Sequence, residues 1–167
     1  NRKVSVLRSY YKFLLRTETI KTTPLKLHRP LKIGKKVNVP FSTDEVDRLL
    51  NSDFFSSDYE GTLQKTIVSL LYYTGVRRQE LIDLETSSVD LETSSIKVLG
   101  KRNKERIIPL LSEAVDCLKI YISFKKDLPV RHQNYFFCSE SGLKLNEGFV
   151  YQTVNHYFGI VSTKVKK

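Results

Sequence analysis

Two basic residues of the 167-residue chain stand in settings that suit contact with phosphate. Arg77 comes directly after a Thr-Gly break that ends an apolar helical stretch, and Lys101 lies in a turn between two strand-like stretches. An arginine at the start of a helix offers a planar fork of donors that matches two phosphate oxygens. A lysine in a turn can reach a leaving oxygen, and nearby cations favour the release of its proton, here Arg102, Lys104 and Arg106. A plain helix cap and an ordinary basic turn remain open alternatives.

The elements that must position these residues follow from the hydrophobic pattern. Residues 60–74 carry a dense apolar face, which predicts a buried helix, and a second helical start follows the break over residues 77–84. Residues 87–110 alternate in the strand period around a turn at residues 100–103, which predicts a small antiparallel sheet. The residues predicted to anchor its strands are Ile96, Val98, Ile107 and Leu110.

The remaining predicted elements are helices. The sequence Ser-Thr-Asp-Glu at residues 42–45 is a capping box that predicts the start of a helix. Further helices are expected over residues 112–126 and 146–158, with a short apolar segment at residues 135–138 between them. The predicted fold is therefore mainly α with a small antiparallel β-sheet, an α+β arrangement.

The net charge of +10 is concentrated at the N-terminus. Residues 1–40 hold eleven lysines and arginines and one glutamate, whereas residues 41–167 hold 17 basic and 17 acidic residues. This distribution is the footprint of a segment that lies along a polyanion. A solvated basic tail is the alternative.

The N-terminal region also predicts a domain boundary. Residues 3–16 have the pattern of an amphipathic basic helix, and residues 19–41 contain three prolines and no acidic residue, which is typical of a linker. Because a lone helix cannot bury its apolar stripe, this helix is expected to belong to a domain of its own. The predicted organisation is a helical domain segment (residues 1–18), a basic linker (19–41) and a second domain (42–167).

The composition excludes several classes of protein. With 40% apolar and 28% charged residues the chain is not disordered, and no apolar run is long enough to span a bilayer. Two cysteines and three histidines form neither a disulfide framework nor a cluster with zinc-ligand spacing, so no metal and no cofactor is predicted. We expect a soluble, cytoplasmic protein that does not contact a membrane.

Two stretches of the sequence match a known family when they are read together. Residues 71–81 are LYYTGVRRQEL, and residues 98–110 are VLGKRNKERIIPL. The pair resembles the catalytic domain of the tyrosine recombinases of the phage integrase and Xer type. In that family a T-G-x-R-x-x-E-L box supplies the first catalytic arginine, and a G-K-G-x-K-x-R hairpin supplies the catalytic lysine. The resemblance implies the last helix of a core-binding domain at residues 1–18 and part of a catalytic domain at residues 42–167.

The resemblance implies a role for each matching residue. Arg77 would grip the scissile phosphate, and Lys101 would protonate the 5′ leaving oxygen. Glu80 would orient catalytic groups, and a plain surface ion pair with Arg77 is an equal alternative. Arg78 and Arg102 depart from the residues usual in the family and add positive charge beside the phosphate. The residues expected to contact DNA are Arg8, Lys12, Lys35, Lys36, Arg78, Arg102, Lys104 and Arg106.

Other parts of the family's active site have no counterpart in these residues. No H-x-x-R box occurs, and none of the nine tyrosines has a setting that resembles the nucleophile's. The tyrosines expected to be packing residues of helices are Tyr72, Tyr73, Tyr151 and Tyr157. We therefore expect a fragment of a site-specific DNA recombinase that binds duplex DNA and carries part of the active site. Cleavage and rejoining would proceed through a 3′-phosphotyrosyl intermediate, and the fragment alone would be inactive.

Further expectations concern assembly and the competing functions. The resemblance implies self-association of the full-length protein on DNA as a synaptic tetramer, in DNA integration, chromosome resolution or the movement of a mobile element. A shortened integrase relative that regulates by binding DNA without catalysis is the alternative. A gene that continues past Lys167 into an H-x-x-R box would favour the recombinase, and a stop codon there would favour the regulator. An RNA-binding module is a weaker hypothesis, because it needs aromatic side chains available for stacking.

Overall fold

The computed structural model describes residues 2–29, 40–100, 103–128 and 134–162. The chain divides into two compact units, Asn1–Pro40 and Phe41–Lys167. Four residues with predicted roles, Lys35, Lys36, Lys101 and Arg102, lie outside the described residues. The assignment of the two parts of the chain to a core-binding and a catalytic domain stays a prediction.

The first unit contains one helix among its described residues, α1 (Arg2–Arg16). None of the residues of α1 is buried, and Val6, Tyr10 and Phe13 are each more than half exposed. The guanidinium of Arg8 donates to the carbonyl of His28 (3.0 Å), which links the helix to the stretch that follows it. The predicted amphipathic basic helix is present, and the described part of its unit supplies no core for its apolar stripe.

The second unit is mainly helical, with a small sheet. Its elements are α2 (Thr43–Leu50), α3 (Tyr59–Thr74), α4 (Arg78–Ile82), β1 (Val89–Asp90), β2 (Ser95–Leu99), β3 (Glu105–Pro109), α5 (Ser112–Lys125) and α6 (Glu147–Val161). The three strands pair antiparallel in the order β1-β2-β3. The predicted class, mainly α with a small antiparallel sheet, is confirmed, and β1 is one strand more than the predicted hairpin.

Local sequence signals account for the helix boundaries. Ser42 and Glu45 form the predicted capping box: the Glu45 amide donates to the Ser42 hydroxyl (3.2 Å), and the Ser42 amide donates to the Glu45 carboxylate (2.8 Å). Asp58 caps α3 by accepting a hydrogen bond from the amide of Gly61 (2.8 Å). At the other end of α3, Gly75 has φ +60°, a left-handed conformation that glycine adopts without steric penalty.

The core of the second unit lies mainly between α3 and α5. Leu63, Ile67 and Leu70 of α3 are buried in one cluster with Leu118 and Tyr121 of α5. Full burial of a large apolar side chain contributes roughly 1.5–3 kcal/mol. A second cluster joins α2, α3 and α6. Helix α3 contributes to both clusters and is therefore the centre of the unit.

The sheet corrects one sequence prediction. Ile96 and Val98 are buried as expected, but Ile107 is 71% exposed, so its predicted role as a core anchor is wrong. The register pairs Ile96 with Ile108 and Val98 with Arg106. Because successive side chains of a strand point to opposite faces, this register places Ile108 on the inner face and Ile107 on the outer face.

The predicted apolar segment at residues 135–138 forms no strand of the sheet. Its backbone is held by side chains of α5 instead: the Tyr121 hydroxyl accepts from the Cys138 amide (3.2 Å), and the Lys125 ammonium donates to the carbonyls of Tyr135 and Phe136 (both 2.7 Å). These bonds satisfy backbone groups that burial would otherwise leave unpaired.

The helical tyrosines do not all pack as predicted. Tyr157 is 5% exposed and Tyr73 is half-buried, whereas Tyr72 is 40% and Tyr151 is 60% exposed. The prediction that Tyr72 and Tyr151 pack in the core is therefore wrong. Adjacent residues of a helix lie about 100° apart around its axis, so Tyr72 and Tyr73 cannot face the same neighbour.

Candidate functional site

The turn after α3 places Arg77 at the surface. The Thr74 hydroxyl donates to the Leu70 carbonyl (2.6 Å) and accepts from the Val76 amide (3.2 Å), which closes the turn around Gly75. Val76 is buried and anchors the turn in the core. Arg77 follows as the residue that precedes α4, and its side chain is 57% exposed.

Glu80 holds Arg77 at two points. The backbone amide of Arg77 donates to Oε2 of Glu80 (2.9 Å), and Nη1 of Arg77 donates to Oε1 (2.7 Å). The first bond satisfies an amide at the start of α4, where the helix itself offers no acceptor. The second bond fixes one side of a guanidinium that otherwise faces solvent.

Arg106 of β3 binds the same carboxylate. Its Nη1 donates to Oε1 of Glu80 (2.8 Å), and its Nη2 donates to Oε2 (2.7 Å), which is a bidentate arrangement. The position of Arg106 on the inner face of the sheet, opposite Val98, directs it towards α4. We call the three residues Arg77, Glu80 and Arg106 the clamp.

Burial makes the clamp more than a surface ion pair. The Glu80 side chain is only 6% exposed. Hydrogen bonds from Arg106, and then those from Arg77, lower the pKa of the Glu80 carboxyl to about 2, against the opposing effect of burial. The alternative of a plain surface pair between Arg77 and Glu80 is therefore wrong, because the carboxylate is buried and shared with a second arginine.

The hairpin that contains Lys101 is described on both sides of that residue. The amide of Gly100 donates to the carbonyl of Lys104 (2.8 Å), which closes the turn. Asn103 has φ +59°, a left-handed conformation that asparagine tolerates better than most residues. Lys101 and Arg102 themselves lie outside the described residues, so their predicted roles stay predictions.

A cavity beside the clamp is unsuited to an anion. Its wall includes the carboxylates of Asp83, Glu85 and Glu105 in addition to Glu80, with Lys97 as a basic residue. These carboxylates repel a phosphate, so a phosphate would reach Arg77 from its exposed side. Within the described residues, no three histidine, cysteine or acidic side chains form a group that could hold a metal ion, and no helix is long and apolar enough to cross a membrane.

The other residues predicted to contact DNA are dispersed. Arg78 forms an ion pair with Glu147 of α6, and both side chains are exposed. Lys104 is exposed next to the turn, and Lys12 is exposed on α1. The structure thus brings together Arg77, Glu80 and Arg106, and it gives Arg106 a protein partner that the sequence analysis missed. A strand position facing the core and occupied by arginine was the signal, because such a position requires an acidic partner.

The fold and the clamp together match a known class of protein. The family model described as the phage integrase family matches residues 40–164. The chain therefore belongs to the phage integrase family, the class to which tyrosine recombinases of the Xer type also belong.

Individual relatives support this assignment. The chain is 32% identical to tyrosine recombinase XerC of Natranaerobius thermophilus, over 93% of this chain and 54% of the relative. It is also 32% identical to tyrosine recombinase XerD of Staphylococcus haemolyticus, over 93% of this chain and 53% of the relative. The chain thus spans about half the length of these relatives.

Solved structures show the same fold. The crystal structure of XerA recombinase superposes with a TM-score of 0.66 at 26% identity, over 99% of this chain and 56% of that one. The Tn1549 transposon integrase in complex with transposon right-end DNA superposes with a TM-score of 0.72 at 19% identity, over 93% of this chain and 56% of that one. The second similarity supports the fold alone.

Proposed function

We propose that this chain is part of a site-specific DNA recombinase that cuts and rejoins duplex DNA through a 3′-phosphotyrosyl intermediate. The observation that carries the proposal is the clamp, which holds an exposed arginine at the start of α4 within the region that the family model matches. Phosphoryl transfer depends on donors that are in place before the reaction starts, and a guanidinium fixed by a buried carboxylate is such a donor.

Each residue of the proposed site has one chemical task. A tyrosine oxygen attacks the scissile phosphorus, and the bond from phosphorus to the 5′ oxygen breaks. Arg77 stabilises the negative charge on the non-bridging oxygens, and Lys101 gives its proton to the leaving 5′ oxygen. Glu80 orients Arg77 through the two bonds described above.

The proposed partner is duplex DNA. Two of the similar solved structures, XerH recombinase bound to its difH substrate and the Tn1549 integrase, are complexes with DNA. The residues proposed to meet phosphates are Arg8, Lys12, Lys35, Lys36, Arg78, Arg102 and Lys104. Arg106 stands apart from them, because both of its Nη groups bind Glu80. Self-association of the full-length protein on DNA belongs to the same proposal.

The chain by itself is proposed not to complete the reaction. Its sequence contains no H-x-x-R box, so a second arginine and a further donor are missing from the active site that the family uses. Loss of one preorganised donor lowers the rate by about 10²–10³. With a nicked suicide substrate, which traps the covalent intermediate, we expect no protein–DNA adduct. An adduct of this chain mapped to any of its tyrosines would contradict this part of the proposal.

The proton-donor role of Lys101 provides the main test. In a longer chain that includes an H-x-x-R box and the nucleophilic tyrosine, Lys101→Ala should lower the cleavage rate by about 10²–10³. Replacement of the bridging 5′ oxygen by sulfur should restore the rate, because a thiolate leaves without a proton. Arg77→Ala is the matched control, since sulfur does not replace a donor to the non-bridging oxygens.

The outcomes separate the competing functions. Failure of sulfur to rescue Lys101→Ala would contradict the assignment of Lys101 as the proton donor. Duplex binding without any adduct in the longer chain would favour a DNA-binding relative that has no catalytic activity.

A further inference from the structure

Three segments that are distant in sequence meet at one buried carboxylate. Arg77 precedes α4, Glu80 lies within α4, and Arg106 comes from β3, which is 26 residues further along the chain than Glu80. Both oxygens of Glu80 accept two hydrogen bonds each, and all four donor–acceptor distances lie between 2.7 and 2.9 Å. The position of β3 relative to α4 is therefore defined by side-chain bonds at this point.

The charge of Arg106 is neutralised within the protein. Its guanidinium faces a carboxylate that is 6% exposed, while its own side chain is 38% exposed. Bidentate pairing with a carboxylate uses the same pair of donors that would bind two phosphate oxygens. A phosphate contact by Arg106 would leave Glu80 with an unpaired buried charge, which is strongly unfavourable.

Gly100 lies directly against the clamp. A Cβ atom on Gly100 would be 3.3 Å from Nη1 of Arg106, 3.3 Å from the carbonyl oxygen of Lys104 and 3.6 Å from Oε1 of Glu80. The backbone of the residue before Lys101 therefore packs on the bidentate pair, where there is little room for a side chain. The clamp holds the point of the chain from which Lys101 begins.

We infer that Arg106 is a positioning residue rather than a DNA contact. Through Glu80 it holds the hairpin at Gly100 in a set position relative to Arg77. The two groups proposed to act on one phosphate, Arg77 and Lys101, are thus referred to the same carboxylate. This inference rests on the proposed function for its catalytic part, and its structural part can be tested independently.

Hydrogen exchange tests the structural part on the chain itself. The amide of Gly100, which donates to the Lys104 carbonyl, reports closure of the hairpin. Arg106→Lys keeps the charge but loses the bidentate pair, and we expect it to speed exchange at Gly100 by about tenfold or more while buried amides of α3 and α5 keep their rates. Lys97→Gln is the matched control, because it removes an exposed ion pair with Glu105 across the same two strands. Unchanged exchange at Gly100 in Arg106→Lys would overturn the inference.

Salt dependence of duplex binding tests the absence of a DNA contact. The double variant Glu80→Gln/Arg106→Gln removes one charge of each sign, so the net charge of the pair stays the same. We expect its log-log salt slope to equal that of the unaltered chain. A slope reduced by about 0.9 would show that Arg106 neutralises a phosphate, and it would overturn the inference.

Cleavage in the longer chain tests the catalytic part. Arg106→Lys should slow cleavage of the ordinary substrate, and the substrate with bridging sulfur should recover most of that loss, as for Lys101→Ala. Equal losses with both substrates, or no loss with either, would overturn the positioning role. If the unaltered longer chain forms no adduct, the proposed function fails, and the exchange and salt measurements still decide whether Arg106 holds the hairpin.

Discussion

The two units of the chain differ in where they place charge and apolar surface. Residues 1–40 carry the whole charge excess, and the helix α1 has no buried residue. Residues 41–167 are neutral in net charge and contain two apolar clusters and the clamp. The comparison indicates a division of tasks: the first region supplies non-specific attraction to a polyanion, and the second supplies a defined geometry.

This difference follows from what each task requires. Attraction to phosphates depends on the number of cations that reach them and tolerates a mobile or exposed segment. Catalysis depends on donors held within fractions of an ångström, which needs a packed support. In the second unit the support is the α3–α5 core, and in the clamp it is a buried carboxylate.

The largest expected effect concerns the core of the second unit. Leu118 is fully buried, so Leu118→Ala should lower the free energy of unfolding by about 3 kcal/mol through lost burial and a residual cavity. Leu7 of α1 is 46% exposed, and Leu7→Ala should change it by less than about 0.5 kcal/mol. Urea unfolding followed by circular dichroism measures both. A large effect of Leu7→Ala would show that α1 is packed and would break the comparison.

The next effect concerns the charge of the first unit. Lys3, Lys12 and Lys21 are exposed, and replacing all three by Gln should weaken duplex binding by about 100-fold at 100 mM salt if each neutralises one phosphate. The log-log salt slope should fall from about −5 to between −2 and −3.

A matched set of three lysines in the second unit provides the control for that measurement. Replacing the exposed residues Lys97, Lys119 and Lys126 by Gln changes the net charge equally. Affinity should fall far less, because no DNA contact is proposed for them. Equal losses in the two sets would mean that binding depends on net charge and not on its placement.

The acid sensitivity of the clamp is a smaller effect. The folded pKa of Glu80, about 2, lies below the ordinary value of 4.5, so its stabilising contribution is complete above pH 4.5 and is lost as the pH falls towards 2. Between pH 7 and pH 3 the loss from this group is about 2 kcal/mol. Glu80→Gln should remove this part of the pH dependence of unfolding, whereas the exposed-site change Glu92→Gln should not. Identical pH profiles for Glu80→Gln and the unaltered chain would contradict the lowered pKa.

The smallest expected effect is at the turn of the hairpin. Lys101→Ala should leave the free energy of unfolding within about 0.5 kcal/mol, as is usual for a polar turn position. Arg106→Ala, only five residues away, should cost about 2–3 kcal/mol because it leaves the buried carboxylate of Glu80 short of a partner. Thermal unfolding of the two variants compares them directly. A large loss in Lys101→Ala would show that Lys101 has a structural role.

The sequence by itself determined the elements whose causes are local. The capping box at Ser42, the left-handed Gly75 and the start of α4 after Arg77 depend on residues within one or two helical turns, so a pattern can predict them. The family motif placed Arg77 and Lys101 on two separate elements. The charge excess of the first unit is likewise a property of the sequence alone.

Only the tertiary structure decided which side chains meet. Whether Ile107 or Ile108 enters the core depends on the strand register, and the register follows from packing against the rest of the unit. The exposure of Tyr72 depends in the same way on which side of α3 faces its neighbours. The partner of Arg106 could not be inferred from a basic turn, because the carboxylate that binds it lies in another element. Contacts between distant residues depend on how whole elements pack, and local sequence patterns carry no record of that packing.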